Sequence, residues 1–120
     1  MITQTSTRQI APDITVIEIT GRLCFGSTLF AMENSIKDLI SSGVRKLAID
    51  IAGLLAIDSA GLGTLLASSG EMSRVGGRFR VAGAVGHVAQ SFALVRLDAI
   101  VKLDPDLQTS LYKLALPISD

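Results

Sequence analysis

Hydrophobic positions change period several times along this chain, and each change marks an element. Residues 14 to 19, ITVIEI, form a β-branched run that reads as a strand, with Gly21 ending it. Pro12-Asp13 marks a turn from a weaker strand around residues 3 to 10. From Ser27, expected as an N-cap, apolar residues fall at Leu29, Met32, Ile36, Leu39 and Ile40, the steps of a helix with one face on a core. Ser41-Ser42-Gly43 stops it, Gly43 being suited to a left-handed C-terminal position. Lys46 to Ile51 returns to strand, with Leu47, Ile49 and Ile51 on one face. A second helix is predicted from about Ala60 to Ser73, carrying Leu62, Leu65, Leu66 and Met72. Gly76-Gly77 ends it, Arg78 to Ala82 forms the next strand, and Val88, Phe92 and Val95 fit a short third helix. Ile100 to Leu103 reads as a last strand, and Leu107, Leu111, Leu114 and Ala115 as a C-terminal helix that Asp106 can cap.

The order β-β-α-β-α-β-α-β-α implies an α/β fold. Its sheet is mixed and of four to five strands: mostly parallel, with right-handed crossovers, opened by an antiparallel pair and flanked by about four helices. No internal repeat, low-complexity tract or linker interrupts it, so residues 1–120 are expected to form a single domain.

Composition narrows the function. A hydrophobic content of 48% with a mean hydropathy of +0.49 suits a sheet covered by helices, and four Phe, one Tyr and no Trp make the core aliphatic. Eleven basic and eleven acidic residues cancel, which argues against nucleic acid and against a polybasic membrane anchor. The charge-free stretches Ile51 to Ile57 and Ser59 to Gly70 are separated by Asp58 and too short to span a bilayer, so no membrane insertion is expected. The opening MITQTSTRQIAPD lacks the apolar core of a signal peptide, and a lone Cys24 fits a reducing compartment. The expected location is therefore cytoplasmic. With no CxxC, no HExxH, no acid-rich loop and one histidine, His87, neither a metal nor another cofactor is expected.

The chemistry-bearing stretch is residues 47 to 66, LAIDIAGLLAIDSAGLGTLL. It places Asp58-Ser59-Ala60-Gly61-Leu62-Gly63 between an apolar strand and a helix, so Ser59 lies at or just ahead of a helix N-terminus. Free backbone N–H groups and the helix dipole favour an anion there. On spacing alone, a plain capped turn explains Asp58 and Ser59 equally well. Gly61-Leu62-Gly63 imitates a dinucleotide fingerprint, but Leu66 stands where the third glycine belongs and no P-loop lysine follows. An acyl-transfer set of Ser59, His87 and Asp58 lacks the G-x-S-x-G elbow, and its carboxylate is adjacent to the serine in sequence. No catalytic residue is assigned, and the expectation is a binding protein, not an enzyme.

Leu47-Ala48-Ile49-Asp50-Ile51 and Asp58-Ser59-Ala60-Gly61-Leu62-Gly63 together resemble the strand-turn-helix signature of the STAS domain of anti-sigma factor antagonists. Thr20-Gly21-Arg22-Leu23 is similar to an upstream loop of that family, and the element order agrees along nearly the whole chain. The resemblance implies a STAS fold and a protein-binding switch. Ser59 would be the phosphoacceptor, and the partner an anti-sigma factor with serine kinase activity, sequestered while Ser59 is unphosphorylated. A phosphatase would reset the phosphorylated form. Partner contacts are expected from Gly21, Leu23, Cys24 and Ser27 in the loop, and from Asp58, Ser59, Ala60, Gly61, Leu62 and Gly63. Within that set Asp58 would position Ser59, Gly61 and Gly63 would admit a partner backbone, and Leu62 would anchor the helix. Cys24 departs from the family's usual Asp, and is read as a small apolar residue under the loop.

The resemblance also admits a STAS subunit of a lipid-transport ABC system, or a scaffold component of a stress-sensing complex. Elsewhere, Arg74, Arg78 and Arg80 read as a solvated basic cluster, and Leu94, Val95 and Leu97 around Arg96 as an exposed apolar strip. Monomer or weak dimer is the expected state.

Overall fold

The computed structural model describes residues 3 to 117. Its elements run β1 (Gln4–Ile10), β2 (Ile14–Leu23), α1 (Ser27–Ser41), β3 (Lys46–Asp50), β4 (Leu54–Ile57), α2 (Ser59–Arg74), β5 (Arg78–Ala82), α3 (Gly86–Leu94), a 3-10 turn (Leu97–Ala99), β6 (Lys102–Asp104) and α4 (Leu107–Ala115). Five strands lie in the order β1-β2-β3-β5-β6, with only the β1–β2 pair antiparallel. This is the mixed α/β sheet that the periodicity predicts.

A sixth strand, β4, is the addition. β2 pairs with β3 along Thr15 to Glu18, then passes a register shift between Gly21 and Arg22 and pairs with β4 along Gly21 to Leu23. Gly21 therefore does not end the strand. It takes φ 90°, which a side chain disfavours, and its N–H donates to the Gly53 carbonyl at 3.0 Å. The irregularity re-aims β2 toward the loop that precedes α1.

The two faces of the sheet differ in kind. One carries Ile17, Ile19, Leu47, Ile49, Phe79 and Val81 beneath Leu29, Met32 and Ile36 of α1, Leu65 and Met72 of α2, and Val88 and Phe92 of α3. Each large side chain removed from water there contributes roughly 1.5–3 kcal/mol before chain entropy is set against it. The other face is thin: Ile14, Val16 and Ala48 under Leu114 of α4. Arg80, only 4% exposed, completes that face.

A buried arginine is tolerable only with a partner. Its Nε and Nη2 donate to Asp104 Oδ2 and Oδ1 at 2.6 and 3.0 Å, while the Ser110 hydroxyl donates to Oδ2 at 2.6 Å and Lys113 Nζ lies 3.3 Å from Oδ1. Burial alone pushes the Asp104 carboxyl upward. Hydrogen bonds and charge from Arg80, the Ser110 hydroxyl and Lys113 more than offset that, and hold it at about 2. Arg78 donates to the Leu114 and Leu116 carbonyls, at the C-terminal end of α4. The expected solvated cluster thus reduces to Arg74, which pairs with Glu71 at 2.6 Å.

Three smaller expectations are corrected. Ser27 is the first residue of α1 and makes no cap bond, because Gly26 occupies the N-cap position at φ 151°. Val95 is 54% exposed and lies beyond α3, whose buried residues are Val88 and Phe92. The last strand begins at Lys102 instead of Ile100. Gly43, at φ 102° with its N–H on the Ile40 carbonyl, and Asp106, which caps α4, stand as predicted.

Candidate functional site

The 58–63 segment opens α2 directly after β4. Asp58 is extended and stands at the N-cap, where its Oδ1 accepts from the Gly61 N–H at 2.9 Å and its carbonyl from Leu62 N–H at 3.0 Å. Its second oxygen reaches across the chain: Oδ2 accepts from the Phe25 N–H at 2.9 Å. One side chain therefore fastens both the helix start and the loop between β2 and α1. The N–H of Phe25, then that of Gly61, hold the Asp58 carboxyl below the usual carboxylate range.

Gly61 is where that loop and α2 touch. It is buried, and a Cβ there would run into the Leu23 carbonyl oxygen and come within 2.7 Å of Ile57 Cγ1. Its missing side chain is used inside the chain, so it leaves no opening for a partner backbone. Gly63 is exposed, and a Cβ at that position would meet nothing within 4 Å.

The residues singled out in the sequence sort into layers. Gly21, Leu23 and Gly61 are buried and shape the backbone; Cys24, Asp58, Ala60 and Leu62 are half-buried; Ser27, Ser59 and Gly63 face solvent. Segments 21–27 and 58–63 do meet, through Asp58 and Phe25 and through the Asp58 N–H on the Leu23 carbonyl at 3.3 Å. Ser59, the first residue of α2, is exposed, and among the described residues its hydroxyl makes no hydrogen bond.

Two residues of the site carried too little signal in the chain. Phe25 is 73% exposed and Phe30 49% exposed, and their rings meet edge to face at 5.4 Å between centroids and 80° between planes. A large apolar residue set between Cys24 and Gly26 in a tight loop is the one hint the sequence offers. His87 is exposed near the start of α3.

The geometry gives Ser59 no general base in Asp58. Both oxygens of Asp58 are engaged by backbone N–H groups and its basicity is lowered, so it is a poor acceptor for the proton of Ser59. Among the described residues no cluster of His, Cys, Asp or Glu could hold a metal ion, and no helix is long and apolar enough to cross a membrane.

Residues 6–110 match the model of the STAS domain. A candidate anti-sigma factor antagonist from Thermotoga maritima has the same fold at a TM-score of 0.85 and 19% identity, over 93% of this chain and 95% of that one. An anti-sigma factor antagonist from Mycobacterium paratuberculosis is similar at a TM-score of 0.82 and 22% identity, over 94% of each chain. The Bacillus cell fate determinant SpoIIAA, in its phosphorylated form, aligns at a TM-score of 0.74 and 18% identity, over 92% of this chain and 99% of that one.

Proposed function

Since the chain belongs to the STAS domain family, we propose that it is an anti-sigma factor antagonist whose binding is switched at Ser59. The observation that carries this reading is the exposed, unbonded hydroxyl of Ser59 at the start of α2, beside an aspartate that holds the neighbouring loop in place. Unphosphorylated, the 21–27 and 58–63 face binds and sequesters an anti-sigma factor with serine kinase activity. Phe25 and Phe30 supply the apolar area, and the hydroxyl is presented to the kinase.

Phosphorylation adds about −1.5 to −2 charge units next to the ionised Asp58. The helix N-terminus tolerates the anion in the free protein. In a docked, partly apolar interface the same anion suffers desolvation and repulsion from Asp58. A penalty of roughly 3 kcal/mol weakens binding more than a hundredfold, enough to release a partner. A phosphatase then restores the binding form.

Intact-mass measurement on protein purified from its own cells tests the switch. One phosphate on the wild type and none on Ser59→Ala supports it, together with capture of a serine-kinase anti-sigma factor by the unmodified form alone. Unmodified protein under growth and stress, recovered with an ABC-type ATPase, overturns it in favour of a transport subunit.

A further inference from the structure

The start of α1 is held from outside its own helix. Gly26 stands at its N-cap and has no side chain to bond the first turn. Phe25 and Phe30 take the N′ and N4 positions, the pair that fixes how a chain enters a helix when its side chains meet. Here the rings meet each other at 5.4 Å and stay 73 and 49% exposed, outside the hydrophobic core. The remaining fastening is polar: the Phe25 N–H donates to Asp58 Oδ2 at 2.9 Å. The other oxygen of Asp58 serves the Gly61 N–H. Neither is spent on the Ser59 hydroxyl, which makes no hydrogen bond among the described residues.

We propose that Asp58 governs capture of the kinase and not the transfer to Ser59, as a positioning residue that holds Phe25 ready for an apolar cleft of the partner. This role rests on the switch at Ser59 proposed above. A ring carried on the short loop between β2 and α1 has little else to fix it. Released from Asp58, the 24–26 backbone gains conformers that must be frozen again before Phe25 docks, and that cost falls on binding. Ser59, by contrast, is the first residue of α2 and keeps its place on the helix whether or not the loop is held. A bound kinase therefore meets the same hydroxyl in either case.

Asp58→Asn separates the two bonds. Asparagine caps helices as well as aspartate does, and its one carbonyl oxygen can keep the Gly61 N–H while its amide turns a donor toward Phe25. The Phe25 amide should then exchange faster with solvent while that of Gly61 stays protected, and circular dichroism checks the fold. The partner for kinetics is the serine-kinase anti-sigma factor captured by the unmodified chain, assayed by steady-state phosphorylation and by binding without ATP. Asp58→Asn should raise KM and Kd about tenfold, with the loss falling on KM and not on kcat. Phe25→Ala should raise both about thirtyfold, as loss of an aromatic anchor does. Asp58→Asn added to Phe25→Ala should cost nothing more, since the aspartate acts through the ring. A fall in kcat in Asp58→Asn, additive losses in the double variant, or an unchanged Phe25 amide would each overturn the proposal and leave the switch standing. A captured kinase that leaves Ser59 of the wild type unmodified overturns the switch itself, and this role with it.

Discussion

Two helices of this protein begin in the same way and end in opposite uses. Both α2 and α4 follow a short parallel strand, and both are capped by an aspartate: Asp58 accepts from the Gly61 N–H at 2.9 Å, Asp106 from the Thr109 N–H at 2.8 Å. At α4 the neighbouring polar groups close on one another, because Ser110 and Arg80 both bind the buried Asp104. At α2 the second oxygen of the cap goes to a loop 33 residues away, and the adjacent Ser59 hydroxyl is left to water. Aspartate and serine therefore fasten one corner and leave the other available. What separates the two is whether a buried carboxylate, itself held by Arg80, lies close enough to accept from the serine hydroxyl, as Asp104 does from Ser110.

The sharpest test of that contrast is Asp104→Asn, which leaves Arg80 buried without its carboxylate and should cost about 3 kcal/mol in urea unfolding. The stabilisation should also depend on acid. Asp104 titrates at about 2 in the fold against an ordinary 3.8. A lowered folded pKa gives stability that is full above the ordinary value and lost as pH falls through the folded one. The difference between wild type and Asp104→Asn should therefore shrink from about pH 4 downward, as acid titrations of both would record.

At the open corner, Gly61→Ala should cost about 2 kcal/mol in thermal melting, because its Cβ meets the Leu23 carbonyl, and should displace the 23–27 loop as well. Asp58→Ala and Asp106→Ala should each cost about 1 kcal/mol as lost caps. Hydrogen exchange should tell them apart, with the Phe25 amide exchanging faster in the first and unchanged in the second. Ser59→Ala is the smallest perturbation, within about 0.5 kcal/mol, and should still abolish modification. A large destabilisation by Ser59→Ala would erase the distinction between the corners.

Much of the architecture could be read from the chain because local and tertiary preferences agreed. The 78–82 strand, the Asp106 cap and the Gly43 turn each follow from a few adjacent residues. What escaped depends on pairing between distant ones. β4 is four residues, LLAI, with Leu55 58% exposed, and only the redirected end of β2 makes it a strand. Arg78 and Arg80 alternate with Phe79 and Val81 as solvated residues would. Their burial follows from α4 covering that face and Asp104 arriving from 24 residues away. The candidate site was legible as a motif, Asp58 to Gly63. Its long-range half, the bond from Asp58 to Phe25, has no local signature, and the role of Gly61 reverses once the Leu23 carbonyl is seen against it.

The shift at Gly21 divides β2 between two sets of neighbours. Up to Glu18 the strand is held between β1 and β3, inside the main sheet. Beyond Gly21 it leans on the four residues of β4. The outer segment is also fastened to α2: Leu23, 1% exposed, sits in the core, its carbonyl accepts from the Asp58 N–H, and Asp58 Oδ2 accepts from the Phe25 N–H. Any shift at the start of α2 is therefore passed through these bonds to the far end of β2, ahead of the main sheet.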